Sequence, residues 1–194
     1  MTLQSKRVIV IGGPTGSGES TITNALVAQF PNFTRLVTAT TRPMREGEVD
    51  GVDYYFFSKE EFLREIESGN ILEHTYISNR DIYYGSYRPD LEKKLSDGKV
   101  VIVNPDIVGA KFYKHNFGAL TIFIEPQSIE TLATRLKKRN PDMSEMELGQ
   151  RLENARQELE QEKPFYDVII RNEDGKLSEA IEKSAAVIKK FAEA

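Results

Sequence analysis

The sequence predicts an α/β fold: a parallel sheet core flanked by helices, with a small inserted α+β lobe and a helical lid. Three observations carry this prediction. Short unbroken apolar runs at Val8–Ile11, Val100–Val103, Leu120–Ile124 and Val168–Ile170 alternate with helical patterns, as buried parallel strands do. The first run leads through Gly12-Gly13-Pro14-Thr15-Gly16-Ser17-Gly18-Glu19-Ser20-Thr21 into the helical pattern Ile22–Ala28, the strand–glycine turn–helix order of a phosphate-binding loop. The stretch from about 39 to 98 breaks the alternation and is aromatic and hairpin-like.

The elements follow in order. A strand over Arg7–Ile11 is followed by a helix to Gln29, ended by Pro31. A short strand is expected at Phe33–Thr38, then a polar loop to Asp53 and an aromatic strand Tyr54–Phe57. Ser58 with Glu61 three residues on predicts a capping box for a helix Lys59–Ser68, with Phe62, Ile66 and Leu63 as its apolar face and Gly69 as its stop. Strands Ile71–Tyr76 and Tyr83–Ser86 flank a turn at Ser78–Asp81, and a helix spans Pro89–Ser96. After the strand at Val100, the pattern gives helices at Asp106–Lys114 and, capped by Ser128, through Lys138. Ser144 with Glu147 opens a helix expected to run unbroken to Lys163, before a last helix Leu177–Phe191. The result is one domain over 1–194, with a core of 1–38 and 99–194, a lobe of about 39–98 and a lid of about 137–150.

Composition excludes several classes of function. The chain has 194 residues, 39% hydrophobic and 29% charged, with a net charge of −4. An acidic balance of this kind argues against a general nucleic-acid or membrane-surface binder. With no cysteine and only His74 and His115, thiolate chemistry and Cys/His metal sites are ruled out. No apolar run approaches the ~20 residues that span a membrane. Residues Met1–Lys6 lack the apolar core of a signal peptide, so a cytoplasmic location is expected, as monomer or homodimer.

Three constellations carry chemistry. In the glycine loop, Gly13 and Gly18 stand at the spacing that lets backbone N–H groups curl around phosphate, and Ser20 stands where a Mg²⁺-binding hydroxyl belongs. The position between Gly18 and Ser20, which a phosphate loop gives to lysine, holds Glu19. Next, Arg42 and Arg45 are spaced to fork onto one phosphate, although taken alone the loop reads as solvated charge. Further on, Glu73 and Ser86 offer a carboxylate and a hydroxyl suited to a guanine edge, although taken alone Glu73 reads as a surface charge, and Tyr76, Tyr83 and Tyr84 read as packing. The third constellation is Arg135 and Arg139 at i, i+4 on one helix, with Arg151 on the next. Positive charge of this kind is what phosphoryl transfer requires around the γ-phosphoryl group, although taken alone the two helices read equally well as an amphipathic hairpin with solvated basic faces.

Together these residues resemble the guanylate kinase family over nearly the whole chain. Thr40-Thr41-Arg42-Pro43-Met44-Arg45-Glu46-Gly47-Glu48, continued by Gly51–Phe56, and Tyr83-Tyr84-Gly85-Ser86 carry the resemblance. It implies a P-loop nucleoside monophosphate kinase fold and the reaction of ATP with GMP, using Mg²⁺, to give ADP and GDP. By that resemblance Gly13, Pro14, Thr15, Gly16, Ser17, Gly18, Ser20 and Thr21 hold ATP, Asn172 lies near adenine, and Ser20 serves the metal. Arg42, Arg45, Tyr54 and Tyr84 hold the GMP phosphate, while Glu73, Ser86, Asp106 and Thr38 serve the base. Arg45, Arg135, Arg139, Arg151 and Glu19 occupy catalytic positions. Three departures stand out: Glu19 for lysine, the neutral Asn104 before Asp106, and about two extra residues near Arg80-Asp81. Glu19 opens a second reading, nucleotide binding with weak or no turnover. A third is a phosphopeptide-binding module of the same fold.

Overall fold

The computed structural model describes residues 6–193; of Met1–Lys6, read above as lacking a signal-peptide core, all but Lys6 lie outside them. The chain divides into two compact units. One is Met1–Phe33 with Ile102–Ala194, the other Thr34–Val101.

The first unit is built on the apolar runs. Strands β1 (Val8–Gly12) and β2 (Phe33–Arg35) belong to a five-stranded sheet that also contains β7 (Val100–Val103), β8 (Leu120–Pro126) and β9 (Val168–Asn172). Its order is β2-β7-β1-β8-β9. β1 pairs in parallel with β8, Ile9 opposite Leu120, and β8 in parallel with β9, Ile122 opposite Val168. Val8, Ile9, Val10, Ile11, Ile122, Phe123 and Ile124 are fully buried, which is why these strands read as continuous apolar runs rather than alternating ones.

The helices of this unit supply the covering stripes. They are α1 (Glu19–Gln29), α4 (Ile107–Phe117), α5 (Ile129–Arg139), α6 (Glu145–Gln157) and α7 (Leu177–Glu193). Leu132 and Leu136 of α5 and Ile181, Ala185 and Ile188 of α7 are buried. Ser128 and Ser144 accept from the backbone N–H groups of Thr131 and Glu147, capping α5 and α6.

The second unit holds β3 (Thr38–Thr40), β4 (Tyr55–Phe56), β5 (Ile71–Ile77) and β6 (Ile82–Tyr87) in the order β4-β3-β6-β5. It also holds α2 (Lys59–Glu67) and α3 (Arg88–Ser96). β6 runs antiparallel to both neighbours, with Thr38 opposite Ser86 and Thr40 opposite Tyr84. Ala39, Phe62 and Ile71 form a small core, with Tyr55, Phe57, Ile66, Tyr83 and Tyr87 packed on it. The Ser58–Glu61 capping box is present with both of its arms. Buried Asp90 accepts from Val37 N–H, the Tyr55 hydroxyl and Lys94, fastening α3 to two other segments of the unit.

Three expectations need correction. The strand expected over Phe33–Thr38 is two strands in different sheets, β2 and β3; apolar content does not reveal a change of sheet partner. Leu63 is 40% exposed and stands off the apolar face. The helix expected to run to Lys163 leaves α-geometry after Gln157, continues as a π-helical turn Glu158–Glu162 and tightens into a 3₁₀ turn Lys163–Phe165. Pro164 has no N–H to extend the ladder, and a π turn of this kind is invisible to a period-3.6 pattern.

Candidate active site

The glycine loop lies between β1 and α1. Gly13 has φ +148°, and a Cβ there would lie 2.5 Å from the Ile124 carbonyl oxygen. Gly18 has φ +102°, and a Cβ there would collide with the Asn172 amide. A side chain is therefore excluded at both positions, one by close backbone approach and the other by left-handed geometry. α1 opens at Gly18 with no side-chain cap, the arrangement in which an anion can cap a helix.

Three groups brace the loop. Ser17 N–H bonds the Pro14 carbonyl at 2.8 Å. Asn172, buried at the end of β9, donates to the Ser17 carbonyl at 2.6 Å. Arg135 donates to the carbonyls of Gly16 and Ser17 at 3.3 Å each and to that of Asn172 at 3.1 Å, and pairs with Asp174 at 2.7 Å. Arg135 thus acts on the loop itself.

Two cavities flank the loop. One, of about 350 Å³, is lined by Gly16, Gly18, Ser20, Thr21, Arg135, Arg139 and Asn172. The other, of about 340 Å³, is lined by Gly13, Asn104, Asp106, Glu158, Glu162 and Tyr166. Thr15 and Glu19 line both. Arg151 pairs instead with Glu147 on its own helix at 2.7 Å.

The second cavity is acidic, which raises the cost of charging its walls. Burial, with Glu162 beside it, pushes the Glu158 carboxyl up to about 7. Burial also raises Glu162, with Asp106 adding to it and Lys111 opposing. Tyr166 is raised by burial and then by Glu162, Glu19, Glu158 and Asp106. Sequence reading missed Glu158, Glu162 and Tyr166, because nothing in their spacing announces that they share a wall with the glycine loop.

The residues fit a Mg²⁺ that arrives with nucleotide phosphates. The Asn104 amide donates to the Ile11 carbonyl at 2.9 Å and to Thr23 Oγ1 at 3.2 Å, which leaves its buried Oδ1 without a partner. That oxygen, the Ser20 hydroxyl and the Asp106 carboxylate are hard donors of the type Mg²⁺ takes. Among the described residues no group of three or more His, Cys, Asp or Glu could hold a metal ion unaided. Asp106 is at the same time the N-cap of α4, accepting from Gly109 N–H at 2.9 Å.

In the second unit, β3, β4, β6 and the loop 41–53 gather the remaining candidates. Arg42 is 9% exposed and forks onto Glu48 at 2.9 and 2.7 Å. Its guanidinium lies 5.4 Å from the Tyr54 ring centre and 5.6 Å from that of Phe56. Tyr84 packs edge-on to Tyr54 at 6.0 Å, and its hydroxyl, after Glu48, helps to raise the Arg42 guanidinium above its ordinary value. The register between β5 and β6 shifts between Ile71 and His74, and in that stretch Glu73 accepts from the Ser86 hydroxyl; bulges often re-aim a side chain in this way. Thr38 sits opposite Ser86. The fold therefore brings Thr38, Glu73 and Ser86 to one side-chain cluster, and Arg42, Tyr54 and Tyr84 to another.

The guanylate kinase family profile matches residues 5–191. The chain belongs to the guanylate kinase family. Guanylate kinase of Chlorobium luteolum is 37% identical over 187 residues, 95% of this chain and 92% of its own. That of Helicobacter pylori (strain J99) is 38% identical over 182 residues, 93% of this chain and 84% of its own. The crystal structure of guanylate kinase from Anaplasma phagocytophilum superposes with a TM-score of 0.68 at 30% identity, covering 98% of this chain and 87% of that one. Shikimate kinase from Acinetobacter baumannii, at 13% identity and TM-score 0.52, covers 97% of this chain and 96% of its own and shares the fold alone. Among the described residues no helix is long and apolar enough to cross a membrane.

Proposed function

We propose that this guanylate kinase transfers the γ-phosphoryl group of ATP to GMP, giving ADP and GDP. The observation that carries the reading is the convergence, within one small unit, of Arg42, Tyr54 and Tyr84 on one side-chain cluster and of Thr38, Glu73 and Ser86 on another. Such a pair matches a phosphate at one end and a guanine at the other. Arg45 adds charge at the phosphate end, and Asp106 serves the base. In the first unit, Gly13–Gly18, Ser20 and Thr21 hold the donor phosphates and Asn172 lies toward adenine. Arg135 and Arg139 supply charge, with Arg151 on the lid. This assigns a core of 1–38 and 99–194, an acceptor lobe of 39–98 and a lid of 137–150.

The attacking oxygen belongs to a phosphate already ionised at pH 7, so no general base is needed. Catalysis is then positioning and electrostatic stabilisation of the transferring group. Ser20 and the unpartnered Asn104 Oδ1 would hold Mg²⁺ that arrives with ATP, and the ion would supply charge neutralisation across the phosphates.

Glu19 sets the rate. Loss of one preorganised donor costs ~10²–10³ in kcat. A carboxylate ~4 Å from a phosphate oxygen adds roughly 4 kcal/mol of repulsion at an effective dielectric of 20. The same observation favours a second reading, in which the chain binds nucleotides with no turnover, since Glu19 shares its cavity with Asp106, Glu158 and Glu162. An ADP-release assay with ATP, GMP and Mg²⁺ separates them. The expected outcome is slow turnover that rises ~10²–10³-fold in Glu19→Lys. A silent wild type with an active Glu19→Lys supports the second reading. Failure of both proteins to turn over, with GMP bound but ATP not, overturns the donor assignment.

A further inference from the structure

Glu48 falls outside the residues that the resemblance assigns to the acceptor, yet its carboxylate joins two separate parts of the loop 41–53. Its Oε1 accepts from Arg42 Nη2 at 2.7 Å and its Oε2 from Nη1 at 2.9 Å. The same Oε2 accepts from the backbone N–H of Arg45 at 2.7 Å. Its own N–H returns to the Arg45 carbonyl at 3.1 Å, closing the turn that contains Gly47 at φ +84°. One carboxylate thereby ties the Arg42 guanidinium to the Arg45 backbone. The Arg42 guanidinium, and next the Arg45 backbone N–H, hold its carboxyl below the usual carboxylate range, so the brace is charged at neutral pH.

The consequence for the two arginines is unequal. Arg42 is nearly buried, neutralised by Glu48, committed to the Pro43 carbonyl at 2.7 Å and enclosed by Tyr54 and Phe56. Arg45 is exposed, and among the described residues no ion pair engages its guanidinium. A bidentate fork holds a guanidinium plane in one orientation. We propose that Glu48 is a positioning residue of the acceptor-phosphate site: it fixes Arg42 as a neutralised, oriented donor plate and sets the loop so that Arg45 brings the net positive charge to the GMP phosphate. This rests on the acceptor assignment given above.

A carboxylate beside a phosphate site has two opposite possible effects, and a substitution distinguishes them by sign. If Glu48 positions, Glu48→Gln raises KM for GMP tenfold or more, leaves kcat within about twofold and leaves KM for ATP unchanged. Glu48→Asp, which keeps the charge on a shorter arm, falls between the two. If Glu48 merely competes with the phosphate for Arg42, Glu48→Gln lowers KM for GMP, and the proposal is overturned. Arg42→Lys keeps the charge and loses the fork. It is expected to raise KM for GMP to a similar extent, and the double variant to be no worse than either single one, whereas multiplicative losses contradict a shared role. Arg42→Lys also provides the test if Glu48→Gln fails to fold. The control is Arg45→Ala. If it leaves GMP affinity intact, the acceptor assignment itself falls. If it weakens GMP while Glu48→Gln does not, only the role of Glu48 falls.

Discussion

At the scale of single residues, Arg135 shows how a charge can serve a site by holding its backbone as well as by lining its cavity. Its guanidinium is shared among three backbone carbonyls and Asp174, so the residue holds the glycine loop closed against β9. Arg135→Ala leaves those carbonyls short of a charged donor, a change worth about 1–3 kcal/mol. The expected outcome is a lower melting temperature and weaker ATP binding with GMP binding unchanged, checked by calorimetric titration of each nucleotide. Equal loss of both nucleotides contradicts the brace. Glu19 is the complementary case: it occupies the position that a phosphate loop gives to its cation, at the wall shared by the two cavities.

At the scale of elements, the π-helical turn Glu158–Glu162 links chain geometry to titration. It carries Glu158 and Glu162 on the wall of the cavity that Glu19, Asp106 and Tyr166 also line. The Glu158 carboxyl is pushed up from an ordinary 4.5 to about 7, first by burial and then by Glu162. A raised carboxyl favours the folded state while it is protonated, and that contribution is lost as pH rises through about 7. Glu158→Gln cannot ionise, so its melting temperature gains on the wild type between pH 5 and pH 8. Solvent reaches this wall, so the gain is of order 1 kcal/mol, or about 2–4 °C. Glu162, Asp106, Glu19 and Lys111 remain in both proteins, so the difference between them reports Glu158. A gap that does not change with pH refutes the assignment.

At the scale of the whole molecule, the chain keeps two cores. That of the second unit is small and centred on fully buried Phe62, with Ala39 and Ile71. Truncating such a side chain costs about 3–5 kcal/mol, a large share of a domain's ~5–15 kcal/mol. Phe62→Ala is expected to abolish GMP binding while ATP binding persists, with hydrogen exchange accelerating in β3, β5 and β6 before β1 and β8. Simultaneous loss of protection in both sheets contradicts separate cores.

The buried strands, the capping box at Ser58, the caps at Ser128 and Ser144 and the glycine loop were legible because each leaves its signal within a few consecutive residues. The branched apolar run Val100–Val103 and the Ser58–Glu61 pair are local signals. The split of Phe33–Thr38 between two sheets, the π turn and the solvent-facing Leu63 were not legible, since each depends on which distant segment lies alongside. In the candidate site, the residue types in the loop 41–53 and at Tyr83–Ser86 were readable as a family string. The fork of Arg42 onto Glu48, the grip of Arg135 on the loop carbonyls and the acidic wall at Glu158 were not.

By itself, then, the sequence determined the alternation of strands and helices, the family and the presence of a glutamate in the phosphate loop. Tertiary structure alone decided what those charges face. A charge gains its meaning from burial and from partners that sequence distance does not predict: Arg135 meets Ser17 across 118 positions, and Asn172 meets it across 155.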